Sequence, residues 1–444
     1  MENGPVIRFS LLLPSILSTY SGKLRPSKCR GIAVGAPWFV RNVDLHDDLD
    51  LESTNSAANV LDESGEQISQ KFKLKLEKFK AVKLQTLLSK IESDIFYDHT
   101  VYTGSAGMAL YYYTSSLKMN DPSKELQAAL KYIHLEELKG KRISFLCGDA
   151  GPLALATVIS YRLGNKRPDN LPDYKSLAQR LMNLISLLNE APDELLYGKS
   201  GYLYALLFVN KHIPGKEIIP ANHIEKVINS ILKSGKQLSQ QTKCSSPLLW
   251  QWHDKIYFGA AHGIAGILYM LLQARLFVNI VEIRRFIKPT LDWLLSQQFP
   301  SGNFPSSLNS SNGDKLVQWC HGAPGFVPLC ILAYQVFEDE KYLKIALHCG
   351  EVIWQRGLCT KGYSLCHGVS GNAYAFIQLF QATKKALHLY RACCFMEWCA
   401  LERPGTELHR PDRPISLFEG VIGRLYLVEE LAHAMDARFP ALSI

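Results

Sequence analysis

Two short stretches of this sequence place residues that bind soft metals directly in front of a glycine turn. Residues 316–325 are LVQWCHGAPG and residues 362–371 are GYSLCHGVSG, so each holds a Cys-His pair followed by Gly-x-x-Gly. Thiolate and imidazole are the usual ligands of zinc, and a catalytic zinc takes three protein ligands and keeps a fourth position open. The two pairs therefore offer enough ligands for one open zinc site. The four candidates are Cys320, His321, Cys366 and His367.

A single Cys or His on an apolar helix is more often a buried core residue, and the recurrence of the pair is what favours a metal. The adjacent spacing is not that of a zinc finger. An open, thiolate-rich zinc site binds an incoming thiol and deprotonates it, whereas a free thiol with a pKa of about 8.5 is mostly protonated at neutral pH. His262 precedes another Gly-x-x-Gly and is a candidate for moving a proton at the same site.

These turns belong to an internal repeat. Gly-x-x-Gly occurs seven times, and each occurrence opens an apolar segment. The first glycines are Gly104, Gly148, Gly198, Gly263, Gly322, Gly368 and Gly420. Between and before them are seven segments that are apolar at helical spacing and charged on the opposite face. These segments are 75–93, 124–138, 174–190, 223–238, 281–298, 341–357 and 389–404.

The alternation of the two helix types predicts an all-α fold, an α/α toroid of seven inner and seven outer helices. A helix that is apolar all round must be covered all round, whereas an amphipathic helix can face water on one side. Short connections make successive helices antiparallel, so all seven glycine turns lie at one end of the ring. The longer connections 239–258 and 299–315 lead into inner helices and are expected to overhang this end.

Seven apolar segments also suggest seven membrane spans. Segments 316–337 and 363–383 are long enough and carry no formal charge. However, each contains a Cys-His-Gly turn, and irregular backbone exposed to lipid is not tolerated in the bilayer core. The sequence therefore argues against a multi-span receptor.

Composition excludes one further class. The net charge is +8, but residues 1–43 hold six basic residues against one acidic residue, so the remaining chain is close to neutral. A chain body of this kind has no basic face for nucleic acid. Ten of the eleven cysteines lie between Cys147 and Cys399, several in apolar helices, which is typical of a reducing compartment.

The N-terminal region is expected to be a poorly structured leader, residues 1–70, before a toroid domain at residues 71–444. Its basic, acid-poor residues 3–43 are similar to an organellar transit segment, but the sequence favours a disordered leader or an alternative start. The location predicted for the protein is the cytoplasm, with peripheral contact to the plasma membrane and organellar targeting as the alternatives. Neither end carries a lipidation motif.

The repeats resemble one known family, the LanC-like proteins, which are eukaryotic relatives of the bacterial lanthionine synthetase C cyclases. The resemblance rests on AHGIAG (261–266), WCHGAPG (319–325) and LCHGVSG (365–371), and on further blocks such as GDAGPLA, SLFEG and ARFPAL. It runs from about residue 70 to the C-terminus and points to a plant member. It implies one zinc ion held by Cys320, Cys366 and His367 and an acid/base role for His262.

The resemblance also implies a reaction, the addition of a thiol to the β-carbon of dehydroalanine or dehydrobutyrine to give a thioether. In the eukaryotic relatives the thiol is glutathione and the acceptor is a dehydroamino acid in a protein. Lys361 matches a lysine that contacts glutathione, and a second cation of the family falls on His409, with Arg410 next to it. His321 is a further substrate-binding candidate.

Two positions differ from the bacterial cyclases. Their catalytic aspartate corresponds to Glu194, which we take as the second catalytic candidate, and an arginine four residues before the first zinc cysteine corresponds to Leu316. These differences argue against peptide cyclisation.

Three functions compete at this point. The first is a zinc-dependent enzyme that adds glutathione to dehydroamino acid residues. The second is a non-catalytic signalling adaptor that binds zinc and glutathione. The third, a zinc prenyltransferase subunit, conflicts with the count of seven repeats.

Overall fold

The structure is a computed structural model that describes residues 59–91, 96, 98–215, 217–311, 313–401 and 411–444. Its regular elements are helices, and among the described residues extended pairing is limited to isolated bridges. The helices fall into two sets that alternate along the chain. The inner set is α2 (Ala106–Ser116), α4 (Ala150–Leu163), α6 (Lys199–His212), α8 (Ile264–Gln273), α10 (Ala323–Phe337), α12 (Val369–Thr383) and α14 (Val421–Leu431).

The outer helices precede and follow the inner ones. Short 3-10 turns at Leu135–Glu137, Gly164–Lys166, Leu184–Leu187 and Arg275–Phe277 lie in the connections. The outer set is α1 (Gln70–Ile91), α3 (Ser123–Leu130), α5 (Tyr174–Asn183), α7 (Ala221–Thr242), α9 (Ile280–Glu282, Ile283–Ile287 and Lys288–Leu295), α11 (Glu340–Arg356) and α13 (Ala386–Ala400).

Burial separates the two sets as the apolar pattern predicts. Inner helix α6 buries eleven of its fourteen residues, so it is covered on all sides. Outer helix α7 buries seven of twenty-two, and these recur every three or four residues from Ile224 to Ser239. One stripe of α7 therefore packs inward while the rest faces solvent.

The inner helices close into a ring. Each packs against the next in sequence, and α14 packs against α2. Each of the outer helices α3, α5, α7, α9, α11 and α13 packs on the inner helix that precedes it, whereas α1 packs on α14 and completes the outer layer. The predicted α/α toroid of seven inner and seven outer helices is thus confirmed.

Backbone hydrogen bonds tie the glycine turns of neighbouring repeats together at one end of this ring. Between the fourth and fifth repeats, Gly259 lies so close to Cys320 that an added Cβ would be 2.0 Å from its carbonyl oxygen. The bonds join Cys320 N–H to Cys366 (3.1 Å), Cys366 N–H to Phe418 (2.9 Å), Phe418 N–H to Tyr102 (3.1 Å), Tyr102 N–H to Leu146 (2.9 Å), Cys147 N–H to Leu196 (3.1 Å) and Leu195 N–H to Ala261 (3.3 Å).

The second glycine of each turn is required because the backbone returns across it. In all seven repeats an added Cβ would lie 1.9–2.7 Å from the carbonyl oxygen six residues earlier, which is closer than real Cβ atoms approach. The repeated motif is therefore explained by packing, and the side chains that precede it are free to vary between repeats.

Replacing Gly371 by alanine is expected to destabilise the fold by about 3 kcal/mol or more, because the new Cβ would lie 1.9 Å from the carbonyl oxygen of Leu365. Urea unfolding measures the change. Gly350→Ala is the control, since its Cβ meets only a methyl group of Leu379. Equal unfolding midpoints for the two variants would contradict this explanation of the motif.

The opposite end of the ring is covered by the C-terminal segment. Gln273 donates to the Leu442 carbonyl (2.7 Å), and Gln381 donates to Ala434 and Ala437. Phe439 is buried and stacks on Trp319, 4.9 Å away. Substrate access to the ring is therefore expected at the glycine-turn end.

The predicted helices differ from the observed ones mainly at their ends. The predicted segment 281–298 is interrupted by a π-helical turn at Ile283–Ile287. Pro289 follows this turn and has no N–H to donate to the carbonyl of Arg285, which explains the change of hydrogen-bond pattern. Among the described residues, none of the helices has the length and apolar character needed to cross a membrane.

Most of the predicted leader, residues 1–58, lies outside the described residues, so the domain division stays a prediction. The described part of it, residues 59–70, packs on the toroid. Val60 and Leu61 are buried, and Leu61 pairs with Ile68 in a bridge. Packed structure thus begins before residue 71.

Candidate metal and thiol site

Three of the four candidate ligands meet at the turns before α10 and α12. These helices are neighbours in the ring, and the hydrogen bond from Cys320 N–H to the Cys366 carbonyl fixes one turn against the other. The ligand atoms of Cys320, Cys366 and His367 all lie within 4.8 Å of one another. Both cysteines are buried, with 7% and 4% of their surface exposed.

The donor set fits a zinc ion. Two sulfurs and one imidazole nitrogen at this spacing can share one ion with bonds of about 2.0–2.3 Å, and three protein ligands leave a position open. The two sulfurs also lie close enough to share a hydrogen bond. The hydrogen bond from Cys320 lowers the pKa of Cys366, and the same bond together with burial raises the pKa of Cys320. Two buried cysteine sulfurs beside an imidazole are therefore a donor set suited to zinc.

Two residues from other repeats complete the surroundings of the cluster. The Tyr102 hydroxyl hydrogen-bonds to the Cys366 side chain, and burial with the nearby sulfur raises the pKa of this tyrosine. Glu419 lies close enough to interact with His367, and burial raises the pKa of its carboxyl. The sequence analysis missed both. Tyr102 holds the cysteine position of the first repeat and Glu419 the histidine position of the seventh, so the repeat alignment contained the signal.

His262 is held by a buried carboxylate. Its Nδ1 lies 2.7 Å from Oε2 of Glu194, whose side chain is 2% exposed, while His262 is 16% exposed. Glu194 also accepts the backbone N–H groups of Leu196 (3.0 Å) and Tyr197 (2.6 Å). The Glu194 carboxylate is therefore held by three hydrogen-bond contacts to other groups of the protein. Because Nδ1 is bound to Glu194, Nε2 is the ring nitrogen that remains for contact with a substrate at the glycine-turn end.

Trp252 fixes the plane of the same imidazole. The two rings are stacked with centroids 4.0 Å apart and planes within 9°. Trp252 starts a tight turn that closes on Lys255, and His253 and Asp254 occupy the left-handed region in it. The longer connection 239–258 thus overhangs the turns, as predicted.

The second long connection is anchored at the same end. Asn303 is fully buried, donates to Asp314 (2.7 Å) and to the Leu316 carbonyl (2.9 Å), and accepts from Ala323 N–H (2.8 Å) at the start of α10. Arg356 pairs with Asp314 at 2.9 Å. This loop therefore supports the turn that carries Cys320.

Comparison with known proteins decides the family. The family model described as "Lanthionine synthetase C-like protein" matches residues 95–444. The chain belongs to the LanC-like family. It is 43% identical over 352 residues to a protein of Danio rerio named glutathione S-transferase LANCL1, a match that covers 78% of this chain and 85% of the relative. It is 32% identical over 366 residues to LanC-like protein GCL1 of Arabidopsis thaliana, covering 78% and 82%.

The architecture matches a solved LanC structure. Nisin cyclase superposes with a TM-score of 0.60 at 17% identity, covering 84% of this chain and 98% of that chain. At this identity the likeness concerns the fold. The family that the motifs suggest is thus confirmed. The identity to the animal relative is higher than that to the plant relative, so a plant origin stays a prediction.

The remaining site candidates of this LanC-like chain divide into two groups. Lys361 is near enough to interact electrostatically with Cys320, His321 and His367, so it lies beside the cluster. His321 is mostly buried, and burial lowers its pKa to about 4, so it is neutral at pH 7. His409 and Arg410 lie outside the described residues, and their assignment stays a prediction.

Glu194→Gln is expected to lower the turnover number by about tenfold or more without loss of metal. Glutamine has one acceptor oxygen where the carboxylate accepts from Leu196, Tyr197 and His262, so the imidazole loses its orientation. The measurement is kcat together with metal content. Glu225→Gln on the exposed face of α7 is the control. Unchanged kcat in Glu194→Gln would contradict the positioning role.

Proposed function

We propose that this protein catalyses the addition of the glutathione thiol to dehydroalanine and dehydrobutyrine residues of proteins, with one zinc ion as cofactor. The observation that carries this proposal is the presence of two complementary groups at the glycine-turn end of the ring. One is the thiol-binding cluster of Cys320, Cys366 and His367, and the other is the His262–Glu194 pair. Thiol addition to an alkene requires both an activated sulfur and a proton donor.

Cys320, Cys366 and His367 would hold the metal. Zinc in such a site lowers the pKa of a bound thiol, so that the nucleophile is present at neutral pH. Lys361 lies beside the cluster, and its positive charge suits the carboxylates of glutathione. Its task in this proposal is to orient the tripeptide with its sulfur toward Cys320, Cys366 and His367.

His262 would complete the reaction at the other carbon. The sulfur forms a bond to Cβ, the π electrons of the double bond move to Cα, and Cα takes a proton from Nε2 of His262. The thiol proton leaves to solvent, from which the imidazole recovers one. In this scheme Glu194 does not contact the substrate, and it orients the imidazole through the hydrogen bond at Nδ1.

The relatives support the general type of reaction, the transfer of glutathione, and the fold. The zebrafish protein is named a glutathione S-transferase, and it is similar to this chain over most of both lengths. Nisin cyclase supports the fold. Glutathione as the thiol and a dehydroamino acid as the acceptor are therefore this protein's proposed substrates.

A reducing compartment, the cytoplasm, is the location that we propose. The ten described cysteines are all free, and nine of them are buried. Free thiols in this number are typical of the cytosol. Peripheral membrane contact and organellar targeting by residues 1–43 stay alternatives that this feature does not address.

The test is incubation of the zinc-loaded protein with glutathione and a dehydroalanine-containing peptide, followed by mass spectrometry. A thioether adduct above the rate without protein supports the enzyme. The controls are a serine-containing peptide and protein treated with a chelator. Tight binding of zinc and glutathione without adduct formation would contradict catalysis and favour the non-catalytic adaptor.

A further inference from the structure

A cleft of about 530 Å³ opens at the glycine-turn end, beside His262. Its walls come from the segments before the second, third and fourth turns, so it lies over α4 and α6. Tyr197 and Trp252 line it, and both rings are near-parallel to the imidazole of His262. Two residues of the cleft wall are therefore stacked on the acid/base group.

The order of the ring places His262 between this cleft and the thiol site. The metal cluster lies at the turns before α10 and α12, His262 before α8, and the cleft over α4 and α6. An acceptor whose double bond reaches both the sulfur and Nε2 of His262 must approach across His262. Its flanking residues then extend to the side away from the cluster.

The charges of the cleft select among acceptors. Lys141 and Arg142 are exposed and line it, and within the described residues neither makes an ion pair. The Arg142 guanidinium stacks over the Tyr197 ring at 5.5 Å, which leaves its N–H edge for a carboxylate. Glu190 also lines the cleft, so the cations of the lining exceed its carboxylate by one charge.

We propose that this cleft binds an acidic segment of the acceptor protein next to the dehydroamino acid, with Lys141 and Arg142 as specificity-determining residues. The inference rests on the proposed function and adds the substrate class. Glutathione stays on the far side of His262, over the cluster and Lys361. An extended chain suits a cleft of this volume better than a single side chain does.

Binding can be measured without catalysis. The probe is a fluorescent nonapeptide with alanine in place of dehydroalanine, flanked either by glutamates or by glutamines. We expect the glutamate peptide to bind on the order of tenfold more tightly, with a preference that falls as salt rises. The double variant Lys141→Glu/Arg142→Glu should lose this preference and gain affinity for the matching lysine peptide.

The control variant is Lys139→Glu, which changes an exposed charge two residues earlier that does not line the cleft. It should keep the preference. Equal binding of the two peptides by the unmodified protein, or equal losses in both variants, would overturn the proposal.

Kinetics separates this proposal from the proposed function. With an acidic dehydroalanine peptide, the double variant should raise the acceptor KM about tenfold and leave kcat, the KM for glutathione and the rate with a small dehydroalanine amide unchanged. A raised KM for glutathione would instead assign the cleft to the thiol and overturn the proposal. If no acceptor reacts at all, the proposed function fails while peptide binding still decides the cleft.

Discussion

Cys320→Ala is expected to remove the metal and reduce adduct formation to the rate without protein. Cys320, Cys366 and His367 lie within 4.8 Å of one another, and no other set of three His, Cys, Asp or Glu groups within the described residues has this geometry. Removing a residue that hydrogen-bonds to a metal ligand lowers the affinity for the metal by about 10–100-fold, and removing the ligand itself should lower it further. Metal content by mass spectrometry and the adduct assay measure both effects.

Cys330→Ala is the matched control, because Cys330 is also a buried cysteine and lies on α10, which follows the Cys320 turn. It removes a sulfur outside the cluster. The control should keep about one zinc per chain and its activity. Equal zinc content in the two variants would exclude Cys320 as a ligand.

His262→Ala is expected to lower the turnover number by about 10²–10⁴-fold, the usual contribution of a general acid, while zinc and glutathione binding are retained. The His262 imidazole lies outside the group of Cys320, Cys366 and His367, so its loss should not remove the metal. Glu194 and Trp252 orient it, which leaves Nε2 for proton transfer. Steady-state kinetics and metal analysis together distinguish this result from that of Cys320→Ala.

His433→Ala serves as the control for His262→Ala, because His433 is exposed and lies in the segment after α14, at the opposite end of the ring. It should retain full activity. A zinc-free His262→Ala protein would show that this histidine is a ligand, and an active one would show that the proton comes from elsewhere.

The toroid could be predicted because its cause is local. Each repeat carries its own apolar helix and its own pair of glycines, and both recur seven times in the sequence. The ring then follows from burial of seven apolar helices. Helix ends were less predictable, since the π-helical turn at Ile283–Ile287 depends on a single proline.

The meeting of the two Cys-His pairs was predictable for the same reason, because they hold equivalent positions in adjacent repeats, whereas the choice of Cys320, Cys366 and His367 among the four candidates came from the family resemblance. The contact of Glu194 with His262 spans 68 residues and depends on how two turns face each other. The stacking of Trp252 depends on a loop that does not follow the repeat. Tyr102 reaches Cys366 because the ring closes between α14 and α2; the repeat alignment places Tyr102 at the cysteine position, but its contact with the sixth repeat was not predicted.

The configuration of the adduct at Cα tests the central claim most directly. A proton delivered by a fixed His262 reaches one face of the acceptor, whereas uncatalysed addition protonates both faces. Chromatographic separation of the adduct formed from a dehydroalanine peptide gives the ratio of the two diastereomers. One diastereomer with the unmodified protein, and a mixture at a lower rate with His262→Ala, is the predicted result. A mixture in the same ratio as the uncatalysed reaction would contradict catalysis at this site.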